Sequence, residues 1–215
     1  KILREPEMNK RLLLIDESLS EKHILINNLD NNTDAVLVNG LSFFESISRN
    51  LSSGSYDILD IVCHANPTKL IIGERSIRPN DWFNNINPNE FINLRDVNFW
   101  CCNFARGDES MKFIKELSTF LMTRVNASSQ KVGHQELSGN WNLDVSESPL
   151  PPFSNIAISE WRHTLSTSAT IANDLTELVS LYNNSTVSSF SLDEGFFTGF
   201  GANTEVLTVE QLMAL

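Results

Sequence analysis

Ile58-Leu59-Asp60-Ile61-Val62-Cys63-His64 and Val97-Asn98-Phe99-Trp100-Cys101-Cys102 are two short, nearly unbroken apolar runs, and each closes on a side chain able to do chemistry. Runs of this length, rich in β-branched and aromatic residues, read as strands buried on both faces. Leu12-Leu13-Leu14-Ile15, ended by Asp16, and Ala35-Val36-Leu37-Val38, broken by Asn39-Gly40, read the same way. Arg124 to Ala127 reads as a fifth strand.

Amphipathic stretches separate these runs. Ser18 or Ser20 is placed to cap a helix carrying Ile24, Leu25 and Leu29. Leu41 to Leu51 puts Phe43, Phe44, Ile47 and Leu51 on one side, and Glu109 to Met122 carries a broad stripe from Met111 to Leu121. Lys69 to Ile72 and Arg75 to Ile77, around Gly73-Glu74, predict a small hairpin, and Asp81 to Phe91 a loop or short helix. Apolar strands alternating with helices give the α/β class: a three-layer sandwich, its mostly parallel sheet covered by helices on both faces. In such sheets catalytic groups gather beyond the carboxyl ends of the strands. His64 and Cys102 both fall at that edge.

The pattern changes after about residue 145. Ser148-Pro149-Leu150-Pro151-Pro152 predicts a boundary or extended segment, and an apolar stretch from Ile156 to Trp161 follows. The expected division is an α/β domain over 11–160 and a C-terminal extension over 161–215 that packs on it. Within the extension, Leu165 to Thr170 is rich in Ser and Thr and reads as a linker. Ile171 to Tyr182 reads as a helix, and the tail with Phe190, Phe196, Phe197 and Phe200 is too apolar for a free linker.

Composition narrows the partners. The formal net charge is −11, which disfavours nucleic acid and anionic membranes. No run of 18 apolar residues is present, so no membrane span is expected, and the polar start from Lys1 to Lys10 does not read as a signal peptide. The missing initiator Met suggests a piece of a longer protein. Three cysteines, Cys63, Cys101 and Cys102, are too few for a disulfide scaffold.

A cysteine nucleophile needs a nearby imidazole and donors aimed at the developing oxyanion. His64 and Cys102, on adjacent parallel strands, meet the first need, and the backbone N–H groups of Ala65 and Cys102 meet the second. Spacing alone favours a plainer reading, with a buried thiol and a hydrogen-bonded loop histidine. A zinc site of Cys63, His64, Cys101 and Cys102 is disfavoured, because alternation sends neighbours to opposite faces. A phosphoacceptor receiver domain would need a carboxylate where the third strand ends in His64; Asp60 lies inside that strand. Asp16 either lines the site or caps the next helix, and the cap is the favoured role. His23, His134 and His163 read as surface or packing residues.

The surrounding residues carry a resemblance. Ile61-Val62-Cys63-His64-Ala65-Asn66-Pro67, followed by Leu70-Ile71-Ile72-Gly73, resembles the histidine segment of caspase-like cysteine peptidases. Val97 to Ala105 resembles their cysteine segment. Together with Leu13-Leu14-Ile15-Asp16 and Gly139-Asn140-Trp141-Asn142-Leu143, these motifs are most similar to an uncharacterised caspase-like domain near the start of giant bacterial adhesin-like surface proteins. The likeness covers about residues 11 to 145. It implies a caspase-like sandwich and a hydrolase in which the Cys102 thiolate attacks a peptide bond, His64 handles the proton, and the Ala65 and Cys102 amides hold the oxyanion. It also implies an exported bacterial parent, secreted or at the cell surface, that acts on its own chain or on a surface partner without a cofactor or metal. The extension then reads either as a propeptide-like segment or as plain packing. Two positions depart from the family pattern: Ala65 and Cys101 stand where it has glycine. They leave open a degenerate, non-catalytic module.

Overall fold

The computed structural model describes residues 9–166 and, beyond them, the backbone of three short strands. Five parallel strands form the central sheet: β1 (Arg11–Asp16), β2 (Thr33–Val38), β3 (Ile58–Val62), β7 (Asp96–Trp100) and β8 (Arg124–Ala127), in the order β2-β1-β3-β7-β8. Every residue of β1, β3 and β7 is buried, because helices cover both faces and leave no polar side to the strands. A second sheet, antiparallel and three-stranded, joins β4 (His64–Asn66), β5 (Lys69–Ile72) and β6 (Arg75–Ile77). The predicted hairpin is therefore two-thirds of a sheet whose first strand begins on His64.

Alternation along the strands builds two cores. Leu59, Ile61, Val97 and Phe99 point to the face covered by α2 (Phe43–Ser53), α3 (Pro79–Asn85) and α4 (Asp108–Leu121). Leu13, Ile15, Val62 and Trp100 point to the other face, where Leu25 of α1 (Lys22–Ile26) and Ala157 of α5 (Asn155–Glu160) close over them. The result is the three-layer α/β sandwich expected from the sequence. Helix starts follow their local chemistry. Pro79 opens α3 with the Asp81 carboxylate accepting from the Arg78 N–H at 2.7 Å, and Asp108 and Glu109 sit at the positive end of α4.

Two local expectations fail. Neither Ser18 nor Ser20 caps α1; the chain enters that helix through Glu21 in a left-handed conformation with no side-chain cap. Asp16 is not a helix cap either. One carboxylate oxygen accepts from the Ser18 N–H at 2.9 Å and the other from the Gly73 N–H at 3.0 Å, so Asp16 ties the end of β1 to the β5–β6 turn.

The segment around Ser148–Pro152 is bound into the first unit. Leu150 O accepts from Arg11 and Pro152 O from the Asp30 N–H. The chain divides into two compact units, residues 1–166 and 167–215. Trp161 and Leu165 are buried in the first, so the expected boundary at 160 and the linker reading of Leu165 give way to burial. In the second unit, β10 (Ser189–Leu192) pairs parallel with β9 (Ile171–Ala172) and antiparallel with β11 (Leu207–Thr208). Ile171 and Ala172 thus open a strand, not the expected helix. The rest of that helix, the linker beyond Ser166 and the side chains of the aromatic tail lie outside the described residues.

Candidate active site

Val62 and Trp100 are paired in register on adjacent parallel strands. Two residues beyond those strand ends come His64, the first residue of β4, and Cys102, in a turn, so both lie just past the carboxyl edge of the sheet. Alternation separates the neighbouring cysteines. Cys63 and Cys101 are buried in the first core, while Cys102 lies in the second with Val62 and Trp100. The Ala65 methyl also points into the first core, away from Cys102. The methyl at position 65 therefore does not fill the edge on the Cys102 side.

Cys102 is fully buried, and its sulfur meets one residue twice: it accepts from the Val132 N–H at 3.0 Å and donates to Val132 O at 3.3 Å. Burial pushes the Cys102 thiol up to about 12, against the opposing pull of the Val132 N–H, the Lys131 charge and the Leu165 N–H. The resting sulfur is thus a neutral thiol. Cys101 is pushed up as well, by burial and by the adjoining Cys63 thiol. His64 is partly exposed, but its Nδ1 is buried and has no hydrogen-bond partner among the described residues. A buried, unpartnered imidazole nitrogen is costly in a folded protein and often marks a functional position.

Below this edge, on the same face, lies a polar ladder. Asp60 accepts from Arg11 at 2.8 and 2.9 Å, from Asn98 at 2.9 Å and from the Trp100 indole at 2.7 Å. Asn126 donates on to Asn98 at 2.7 Å. Asp60, the carboxylate a receiver domain would need at the sheet edge, is committed inside the sheet. The ladder holds Trp100, whose ring stacks on Trp141 of the Gly139–Leu143 motif, 6.2 Å between centroids.

Sequence reasoning missed the far wall of the site. Residues 131–134 run beside Asn140 on one flank, where Gly133 N donates to Asn140 O at 3.2 Å and Asn140 N to Lys131 O at 3.0 Å. On the other flank they pair antiparallel with residues 163–165. His134 N donates to His163 O and Leu165 N to Val132 O, both at 2.8 Å. Ser166 then bridges in parallel to Ala65 of β4. The short stretch 164–166 therefore lies between the wall built by Val132 and the wall built by Ala65. His134 and His163, expected as surface or packing residues, flank it. The His163 ring reaches Glu21 at 2.8 Å, and His134 Nδ1 accepts from the Glu136 N–H. The sequence signal that could have found this wall is Gly133, six residues before the Gly139–Leu143 motif whose Asn140 it meets.

Among the described residues, no helix is long and apolar enough to cross a membrane. No curated protein and no solved structure matches the chain. Residues 12–165, which hold His64, Cys102 and the backbone of residues 131–134, match the family model described as Domain of unknown function (DUF4347), and the chain belongs to that family.

Proposed function

We propose that this chain is a cysteine endopeptidase-like domain of caspase type in which the Cys102 thiol attacks a peptide carbonyl and His64 moves the proton. One observation carries the reading. His64 and Cys102 stand two residues beyond the paired carboxyl ends of β3 and β7, beside a wall of backbone that pairs with residues 163–165. Because burial holds the resting thiol neutral, the thiolate forms only at attack. His64 takes the proton and returns it to the leaving amine, while the Ala65 and Cys102 amides stabilise the oxyanion. In this reading the substrate is a peptide segment of a longer, exported bacterial parent or of a surface partner, as in an adhesin that processes itself.

A second reading rests on the same sulfur. A thiol whose pKa lies about 12, with both of its hydrogen bonds spent on Val132, suits a degenerate module that keeps the fold and serves interaction. Mass spectrometry of the longer parent, intact against Cys102→Ala, separates the two. A cut that disappears in the variant supports the peptidase. If the parent stays whole and a peptide electrophile labels Cys102 no faster than it labels a free thiol, the module reading stands.

A further inference from the structure

The stretch Thr164-Leu165-Ser166 occupies the position a substrate would take, and the details are those of an occupant held for reaction. Its backbone bends at Leu165 between two bridges, Thr164 antiparallel to Gly133 and Ser166 parallel to Ala65, and the Leu165 N–H donates to Val132 O. The Leu165 side chain is fully buried in the same core as Cys102 and Val132. Its N–H also bears on the Cys102 sulfur. Gly133 admits the strand: a Cβ there would stand 2.5 Å from both His163 O and Thr164 Cα. Gly133 has a φ of +137°, which side-chain-bearing residues rarely adopt.

Upstream, the segment is anchored. Trp161 is buried against Trp141, with ring centroids 5.8 Å apart, and its indole donates to Ser20 O at 2.9 Å. His163 is held by Glu21. The chain after Ser166 belongs to a separate compact unit.

We propose, resting on the peptidase reading above, that Leu165–Ser166 is the scissile bond of this site. Residues 161–166 are a substrate strand supplied in cis, and Leu165 fills the pocket for the residue before the cut. Cys102 Sγ bonds to the Leu165 carbonyl carbon, and the thiol proton passes through His64 to the Ser166 nitrogen. The C–N bond breaks, Ser166 becomes a free amino terminus, and Leu165 is left as a thioester on Cys102. Water then adds to that thioester, releasing the Leu165 carboxylate and restoring the thiol; no oxidant or second reactant is needed. Substrates acting in trans would share the pattern: extended peptides with a medium-sized apolar residue before the cut and a small residue after it. Cleavage leaves the strand as a product that still plugs the groove until it is displaced.

The test is intact-mass spectrometry of the full chain, incubated with reductant near neutral pH, alongside Cys102→Ala, Leu165→Lys and Leu165→Met. The expected result is a pair of fragments, 1–165 and 166–215, from the parent and from Leu165→Met, and at least a hundredfold less from the other two. A rate independent of protein concentration marks the cut as intramolecular. A chloromethyl ketone built on Trp-Arg-His-Thr-Leu provides the control, because it reads Cys102 without any cut in the chain. If it labels Cys102 but the 165–166 bond stays whole, this inference is overturned and the peptidase reading survives. If it fails to label Cys102 both in the parent and in Leu165→Lys, where the strand no longer fills the pocket, and no bond is cut, both fall. If cleavage persists in Leu165→Lys at the parental rate, or occurs at another bond, Leu165 is not the recognised residue.

Discussion

The two faces of the central sheet come from the same strands and behave differently. On odd positions of β3 and β7, Leu59, Ile61, Val97 and Phe99 meet a largely apolar layer. There Phe43, Trp82, Phe99 and Phe104 contact one another in series, ring to ring. On even positions the same strands carry Asp60, Val62, Asn98 and Trp100, with Cys102 just beyond: a hydrogen-bonded ladder below and a thiol above. Cys101 and Cys102 are neighbours in the chain and both are buried, yet only their partners tell them apart. Cys101 meets another thiol, Cys63. Cys102 meets the backbone of Val132, the Leu165 N–H and the charge of Lys131. Burial does not tell the two cysteines apart; the groups that reach each sulfur do.

The largest expected effect separates those two cysteines. Cys102→Ala should lower peptide cleavage by at least about a thousandfold, as removal of a nucleophile does. Cys101→Ala should leave the rate within about threefold and cost on the order of 1 kcal/mol of stability, as a modest core truncation does. Cleavage assays beside urea unfolding of each variant check this. Equal loss of activity in both would break the comparison, because the face of the sheet would then not matter.

Stability should distinguish the faces next. Asp60→Ala leaves the Arg11 guanidinium buried without its carboxylate and removes the acceptor of Asn98 and of the Trp100 indole. The expected loss is about 3–5 kcal/mol. Leu59→Ala, one residue away on the apolar face, costs about 2–5 kcal/mol from lost burial and the cavity left behind. The two losses overlap in size, so the sharper measurement is repair. A double variant, Arg11→Met with Asp60→Leu, should recover much of the Asp60→Ala loss, since an apolar pair avoids the desolvation of two charges. No second substitution of that kind rescues Leu59→Ala. At the far end of the ladder, Asn126→Ala should cost less, about 1–3 kcal/mol, by stripping Asn98 of its donor and the Glu147 N–H of its acceptor. Urea midpoints compared at one temperature would check this whole order.

What the sequence revealed follows the same division. The apolar face was legible almost throughout, because four buried runs and the helical stripes of Phe43–Ile47 and Phe113–Leu121 are local patterns with a fixed period; the fifth run, Ala35 to Val38, lies on an edge strand where only Val38 is buried. His64 and Cys102 were legible because each ends such a run. The wall opposite them was not. Residues 131–134 and 163–165 pair across some thirty positions of chain through backbone groups, which leave no periodic trace in side chains. Leu165 in particular sits beside a Ser- and Thr-rich stretch, so its composition suggested a linker. The ladder was hidden for another reason: Asp60, Asn98 and Asn126 look like single interruptions of three strands until register brings them side by side. Local propensity also failed at Glu21, where the contacts of His163 and Trp161 around the turn, and not a serine cap, accompany the left-handed entry to α1.

The smallest effect concerns acid. Burial acting alone would raise the Asp96 pKa, but hydrogen bonds from Arg124 at 2.5 Å, Arg95 at 2.7 Å and Asn126 at 3.3 Å outweigh it, and the carboxyl is held below its ordinary value near 3.8. A carboxyl with a depressed pKa in the folded state contributes stability that is present above the unfolded value and is lost as pH falls through the folded one. Asp96→Asn should therefore lower stability at neutral pH, and the gap between variant and parent should narrow as pH drops below the ordinary carboxylate range. Asp34 and Asp144 are also held low, by Lys10 and by Ser129 respectively, but both are unchanged in the variant and cancel in the difference. Urea midpoints of the two proteins across that range are the measurement. A gap that stays constant with pH would mean that Asp96 contributes shape and not charge, and the even-numbered face would then be polar without being electrostatically tuned at its base.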